Sequence, residues 1–148
     1  MPNIRLTKIF EIEMAHALKG YDGPCKYIHG HSYKLEVTVL GSTIIDSNNP
    51  KNGMVMDFKD LKKIVKEHII DVYDHALVLE EGFDDEMIQL LANRQHKTVY
   101  TPYAPTCEFL VYGFSEIIKK HLATNVKLHS LKLYETSTSF AEWFESDQ

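Results

Sequence analysis

Residues 25–37 read CKYIHGHSYKLEV, and this stretch decides the fold. From Ser32 to Leu40 apolar and polar residues alternate, which is the pattern of a strand that buries one face. His29 and His31 stand two residues apart where this strand begins, so period-two geometry places both imidazoles on the same face. The stretch therefore predicts an amphipathic strand over 32–40 that starts at a histidine pair, with Cys25 in the loop before it.

Three further stretches have strand patterns, at 4–15, 54–58 and 127–144. Partial alternation over 4–15 indicates a first strand, and MVMDF at 54–58 is typical of a short strand or a strand end. The closing stretch KLHSLKLYETSTSFAEWF at 127–144 predicts another strand around Leu131 and Leu133.

Between these strands the period changes to that of helices. Apolar residues recur at three and four over 58–70 and again over 106–122, with Asp57 and Thr106 as candidate N-caps. A short helix is expected over 84–93, and TVYTPYAP at 98–105 is expected to be extended or irregular. The order is therefore strand, strand, helix, helix, strand, strand, with an insertion between the helices. It predicts an α+β domain with an antiparallel four-stranded sheet and two helices on one face.

Length, charge and cysteine count exclude several protein classes. At 148 residues the chain is expected to be one domain, 1–148. A net charge of −5 without a Lys/Arg cluster argues against nucleic acid, and no apolar run reaches the ~20 residues that span a membrane. The N-terminus has no signal-peptide core, and Cys25 and Cys107 form no disulfide framework, so we expect a cytoplasmic protein with reduced thiols.

Three histidines form a candidate metal site. His16 ends the first predicted strand, and antiparallel pairing would bring it beside His29 and His31 at the start of the second. Three imidazoles without a fourth protein ligand are the pattern of catalytic zinc, in which the open position takes water or substrate. The alternative, a surface His-Gly-His turn with a half-buried His16, is about equally consistent with the sequence.

The two cysteines have several interpretations. A nearby cation favours the reactive thiolate, so Cys25 is a candidate general base or acid, but it also fits a small loop residue or a fourth zinc ligand. Cys107 stands beside a predicted helix N-terminus, which can favour the thiolate. For Cys107 we favour a packing role.

Three carboxylates complete the candidates. Asp74 precedes His75 and can orient its imidazole, although sequence neighbours often point apart. Glu135 follows the alternating LKLY and is a candidate for binding a guanidine-like edge through two parallel N–H bonds. For Glu108 and Glu135 alike, a solvated surface charge is the simpler interpretation of the residues alone.

An ordered set of motifs spans nearly the whole chain. They are AH at 15–16, CKYIHGHSY at 25–33, GMVMDF at 53–58, DH at 74–75, PTCE at 105–108 and ET at 135–136. Together they resemble the family of 6-pyruvoyl-tetrahydropterin and 6-carboxy-tetrahydropterin synthases. The resemblance implies the tunnelling fold, in which trimers form a barrel and two trimers stack into a homohexamer.

The resemblance also implies residue roles. His16, His29 and His31 match the ligands of one zinc ion per subunit, and Cys25 matches the catalytic cysteine. Asp74 and His75 match acid/base partners that a neighbouring subunit usually supplies. Glu135 matches the carboxylate that anchors the pterin, with Thr106 and Glu108 in a pterin-site segment.

One spacing separates branches of the family. Three residues lie between Cys25 and His29, as in the 6-carboxy-tetrahydropterin synthases of queuosine biosynthesis, whereas animal pyruvoyl synthases typically have a longer gap. The implied substrate is 7,8-dihydroneopterin triphosphate, and the implied enzyme is a lyase. Alternatives are a pyruvoyl synthase, a zinc hydrolase of another class and a non-enzymatic zinc-stabilised binding module.

Overall fold

The computed structural model describes residues 1–148 and centres on a six-stranded sheet. In chain order the strands are β1 (Asn3–His16), β2 (His29–Ser42), β3 (Leu77–Glu80), β4 (Thr98–Thr101), β5 (Val126–Thr136) and β6 (Ser139–Phe144). They lie side by side in the order β4-β3-β1-β2-β5-β6. The pairs β1–β2, β2–β5 and β5–β6 are antiparallel, whereas β3 runs parallel to both β1 and β4.

The predicted four-stranded antiparallel sheet is present as β1, β2, β5 and β6, but the prediction omitted two strands. Strands β3 and β4 have only four residues each, too few for a period to be visible in the sequence. The MVMDF segment does not form a strand. A backbone bond between Ile44 and Gly53 closes a loop just before it, and the Ile44 N–H donates to the Met54 carbonyl at 2.8 Å. The expectation of a short strand there was wrong.

The helices agree with the sequence patterns. They are α1 (Phe58–Val65), a π-helical turn (Lys66–Ile70) continuing into α2 (Asp71–Tyr73), then α3 (Asp85–Asn93) and α4 (Cys107–Lys119). Side chains cap three of them: Asp57 accepts from Lys59 N–H, Asp84 from Met87 N–H and Thr106 from Phe109 N–H. The helix expected over 106–122 thus begins at its predicted cap and ends three residues early.

One face of the sheet packs against α1 and α4. Alternate residues of β2, from Tyr33 to Val39, are buried there, and Phe114 and Ile118 of α4 are fully buried opposite them. The apolar cluster has 21 buried residues, and each large apolar side chain buried is worth about 1.5–3 kcal/mol. The apolar core thus lies between the sheet and these two helices.

None of the helices combines the length and apolar character that crossing a membrane requires.

Strands β4 and β6 are the edges of the sheet, and each leaves backbone groups free to pair with another chain. Assembly into an oligomeric barrel through such edges stays a prediction.

Candidate metal and ligand site

The pairing of β1 and β2 brings the three histidines together. His16 lies directly opposite His29, and His31 lies opposite Met14 on the same face of the sheet. The ligand nitrogens of the three rings all lie within 4.8 Å of one another, and His16 Nε2 is 3.0 Å from His29 Nε2. The predicted cluster of His16, His29 and His31 is therefore present in a single chain.

Backbone carbonyls fix the tautomers of two of these rings. His16 Nδ1 lies 2.7 Å from the Pro105 carbonyl oxygen, and His29 Nδ1 lies 2.7 Å from that of Tyr27. A carbonyl only accepts, so each Nδ1 donates and each neutral ring presents an Nε2 lone pair to the other. Two lone pairs 3.0 Å apart repel unless a proton or a metal ion lies between them.

The remaining features of the cluster also fit a metal ion. Burial, the largest effect, lowers the pKa of His16 and favours the neutral ring that a metal binds. His31 Nε2 is buried without a hydrogen-bond partner and lies 3.7 Å from Glu135 Oε1. Imidazoles whose second nitrogen donates to a carbonyl are the usual zinc ligands. The residues present therefore fit a three-histidine zinc site.

A cleft of about 350 Å³ adjoins this cluster. Its lining includes one histidine of the cluster, both thiols and the predicted ligand-binding residues: His16, Cys25, Cys107, Thr106, Glu108 and Glu135. Cys25 lies in a single helical turn (Pro24–Lys26), and its carbonyl accepts from Leu18 N–H at 3.0 Å, which ties the loop to the end of β1. The fold thus joins residues that are 110 positions apart in the chain, from Cys25 to Glu135.

The second thiol, Cys107, is partly buried where α4 begins. Burial raises the pKa of Cys107 to about 11, and its Sγ donates to the Leu133 carbonyl at 3.3 Å. Burial, rather than the nearby helix N-terminus, has the largest effect on this pKa, because the thiol packs between α4 and β5. The packing role favoured for Cys107 agrees with this geometry.

Asp74 and His75 form a hydrogen-bonded pair even though they are sequence neighbours. His75 has a positive φ of 63°, which turns its ring back so that Nδ1 lies 2.8 Å from Asp74 Oδ2. Asp74 Oδ1 accepts from Glu13 N–H at 2.8 Å, and this bond is the main cause of the lowered pKa of Asp74. The carboxylate is therefore held ionised and aimed at the imidazole.

His75 lines a different cleft from the one that Cys25 lines. His75 lines a cleft of about 530 Å³ with Glu13 and Ser32, which belong to the sheet face opposite the helices. One chain alone does not bring Asp74 and His75 into the cleft of Cys25. Their contribution from a neighbouring subunit stays a prediction.

Tyr33, which the sequence patterns assigned only to the core, borders the histidine cluster. Its ring meets those of His31 and His16 edge-on, with centroids 5.5 Å and 6.2 Å away. The buried hydroxyl has no hydrogen-bond partner, and burial raises its pKa. Its position two residues after His31 on one strand face was the available signal.

Removing the metal is expected to leave the chain folded. A metal present at about 1,000 times its dissociation constant adds about 4.1 kcal/mol, which is roughly 10 °C in melting midpoint for a chain of this size. We expect a chelator to lower the midpoint by about that much without changing the far-UV circular dichroism at 25 °C. Loss of that signal on chelation would instead identify a structural zinc module.

Comparison with known proteins agrees with this geometry. A model of the family "6-pyruvoyl tetrahydropterin synthase" matches residues 5–146. A 6-carboxy-5,6,7,8-tetrahydropterin synthase of Haemophilus influenzae is 36% identical over 143 residues, covering 95% of this chain and 99% of that one. Another protein of that name, from Rickettsia felis, is 32% identical over 142 residues, covering 94% and 99%.

Among solved structures, the 6-pyruvoyl tetrahydropterin synthase of Caenorhabditis elegans superposes with a TM-score of 0.69 at 22% identity, covering 97% of this chain and 96% of that one. At this identity the likeness concerns the fold.

Proposed function

The chain belongs to the 6-pyruvoyl tetrahydropterin synthase family and has its tunnelling fold, and from this premise we propose that it is a zinc-dependent 6-carboxy-5,6,7,8-tetrahydropterin synthase. It would convert 7,8-dihydroneopterin triphosphate and one water into 6-carboxy-tetrahydropterin, acetaldehyde and triphosphate, as a step of queuosine biosynthesis. The observation that carries the proposal is the single cleft in which His16, Cys25 and Glu135 meet.

Two findings favour the carboxy-forming branch. The similar Haemophilus and Rickettsia proteins, which match almost end to end, both carry that name. The three-residue gap between Cys25 and His29 is typical of the same branch. The 6-pyruvoyl synthase, which stops after triphosphate loss, is the second candidate because the matched family model and the Caenorhabditis structure carry its name.

Glu135 is the proposed anchor for the pterin ring. Its carboxylate lies at the end of β5, half-buried in the cleft and 3.7 Å from His31. A carboxylate in this position can accept two parallel N–H bonds from the amino-pyrimidine edge. Thr106 and Glu108, at the start of α4, line the same cleft as Glu135. Both would contact the pterin ring there.

His16, His29 and His31 would hold the metal, one ion per subunit. When bound, zinc supplies Lewis acidity that makes neighbouring hydroxyl and C–H protons of the substrate side chain easier to remove.

The proton transfers are assigned to the chain's own residues. The Cys25 thiolate would remove a proton from the substrate side chain on the side of the cleft. His75, held by Asp74 and supplied by a neighbouring subunit, would exchange a proton on the opposite side. The two electrons lost by the side chain are gained by the ring, so no external redox cofactor is required.

Product analysis tests this function. The purified protein, loaded with zinc, is incubated with 7,8-dihydroneopterin triphosphate, and the products are identified by mass with acetaldehyde trapped as a hydrazone. Equal amounts of acetaldehyde and 6-carboxy-tetrahydropterin are expected. Triphosphate with a pyruvoyl pterin and no acetaldehyde would select the second candidate, and no turnover would reject both. A zinc hydrolase of another class would require neither Cys25 nor Glu135.

Glu135→Gln is expected to weaken pterin binding by about 10- to 100-fold, since a hydrogen bond to a charged group is worth about 1.5–3 kcal/mol. Zinc content should not change, because the carboxylate does not belong to the histidine cluster. Binding is measured by titrating tryptophan fluorescence with a reduced pterin, and zinc by elemental analysis. Glu142→Gln, on β6, is the matched control. Wild-type affinity in the Glu135 variant would disprove the anchoring role.

A further inference from the structure

Lys97 reaches the segment that carries the Asp74–His75 pair. Its Nζ donates to the Asp74 carbonyl at 2.6 Å and to the Asp71 carbonyl at 3.0 Å. We propose that Lys97 is a positioning residue that holds His75 in its acid/base orientation. This inference rests on the proposed function, because it gives His75 a role in that reaction.

The Lys97 ammonium binds carbonyl groups at the C-terminal end of a helix. Asp71 begins α2, whose last turn leaves carbonyl groups without helical partners, and Asp74 is the first extended residue after that turn. A lysine that bonds these carbonyls satisfies them and complements the negative end of the helix dipole. Lys97 therefore fixes the point at which the chain leaves the helix.

The backbone of Lys97 fixes the other end of the same segment. Its carbonyl accepts from Leu77 N–H at 3.0 Å, at the first residue of β3. Lys97 thus contacts the residue before His75 through its side chain and a residue shortly after it through its main chain. On the opposite side, Glu13 of β1 bonds the Asp74 carboxylate and the His75 amide.

The two contacts of Lys97 help to hold His75 in an unfavourable backbone conformation. His75 has φ of 63°, which is unfavourable for a residue with a Cβ and persists only where surrounding contacts impose it. The orientation of the ring depends on that φ, because it lets Nδ1 meet Asp74. Glu13 and the bond from Ala15 N–H to the Ala76 carbonyl hold the segment on the side of β1, and Lys97 holds it on the side of β4. The charge of Lys97 also contributes to the low pKa of Asp74.

The proposal gives a role to residues 81–97, which connect β3 to β4. Strands β3 and β4 are parallel neighbours joined by α3, and Lys97 is the last residue before β4. The connection therefore places Lys97 beside the Asp74–His75 pair. No motif in the sequence marks Lys97 for this role.

The test compares three variants in the zinc-loaded protein. Lys97→Met is expected to lower kcat about 10-fold with KM unchanged, since displacing a catalytic group by about 1 Å can cost up to 10²-fold. Lys97→Arg, which can donate to both carbonyls, should recover most of the loss. Lys127→Met is the matched control, because that lysine of β5 has no side-chain hydrogen bond or ion pair, and should leave kcat unchanged.

A double-variant cycle separates positioning from a general effect on the fold. In a His75→Ala background, Lys97→Met should lower kcat no further, because the residue through which it acts is gone. An undiminished 10-fold loss in that background would overturn the proposal, as would full activity of Lys97→Met alone.

A spectroscopic readout keeps the proposal independent of the reaction. Long-range ¹⁵N–¹H spectra should show His75 protonated on Nδ1 in the wild type and in Lys97→Arg, and should show mixed tautomers in Lys97→Met. An identical His75 spectrum in Lys97→Met overturns the inference even where the wild type turns over no pterin. If Lys97→Met fails to fold, Lys97→Arg decides: a His75 spectrum and kcat near wild type support the proposal, and loss of either refutes it.

Discussion

Replacing Cys25 with alanine is expected to lower turnover by about 10²- to 10⁴-fold while the protein keeps its zinc. That range is the usual contribution of one positioned acid or base. Cys25 lies in the cleft that also holds His16 and Glu135, but it does not belong to the group of ligand nitrogens that converge within 4.8 Å. The thiol is therefore placed beside the metal site rather than in it.

Zinc content and kcat are measured on the same preparation to check this. Cys107→Ala is the matched control, because the second thiol is partly buried and donates to the Leu133 carbonyl, and it should cost at most a few-fold. Loss of zinc in Cys25→Ala would make Cys25 a fourth ligand and the site a closed, structural one. Turnover within a few-fold of wild type would remove the thiol from the mechanism.

Replacing His29 with alanine is expected to abolish both metal binding and turnover. Removing a group that only hydrogen-bonds to a metal ligand lowers the metal affinity by about 10- to 100-fold. Removing one of the three ligands themselves should lower it further. His29 is half-buried at the start of β2, whereas His16 is fully buried, so His29→Ala removes a ligand with less damage to packing. We expect less than about a tenth of an ion per chain after dialysis.

The measurement is elemental analysis of dialysed protein, with circular dichroism to confirm the fold. His121→Ala is the matched control, because that exposed histidine stacks on His68 away from the cluster and should leave one zinc per chain. Stoichiometric zinc in His29→Ala would show that the ion binds elsewhere. Together with Cys25→Ala, this pair of variants separates the metal ligands from the thiol: one variant loses zinc and activity, and the other loses activity alone.

Much of the candidate site follows from local periodicity. The alternation over 32–40 placed His29 and His31 on one face, and the structure shows both on the face that also carries Tyr33. The caps at Asp57 and Thr106 located both main helices. Such features depend on residues within a few positions of one another, so they are visible in a single sequence.

Other features were missed because distant parts of the chain create them. Strands β3 and β4 are too short to show a period, and they form by pairing with β1 and with each other. The Asp74–His75 pair was a candidate in the sequence, but the positive φ that forms its bond, and the contacts of Glu13 and Lys97 with this segment, were not visible there. No local pattern marks such contacts.

The sequence by itself determined the α+β class, the helix starts, the faces of the strands and the chemical types available to a site. The tertiary structure decided the register that sets His16 against His29, the cleft that Cys25 shares with His16, the burial that raises the pKa of Cys107 and the separate cleft of His75. The physical reason is one of range. Periodicity and capping are interactions between near neighbours in the chain, whereas register, burial and shared clefts arise only when segments that are far apart in sequence pack together.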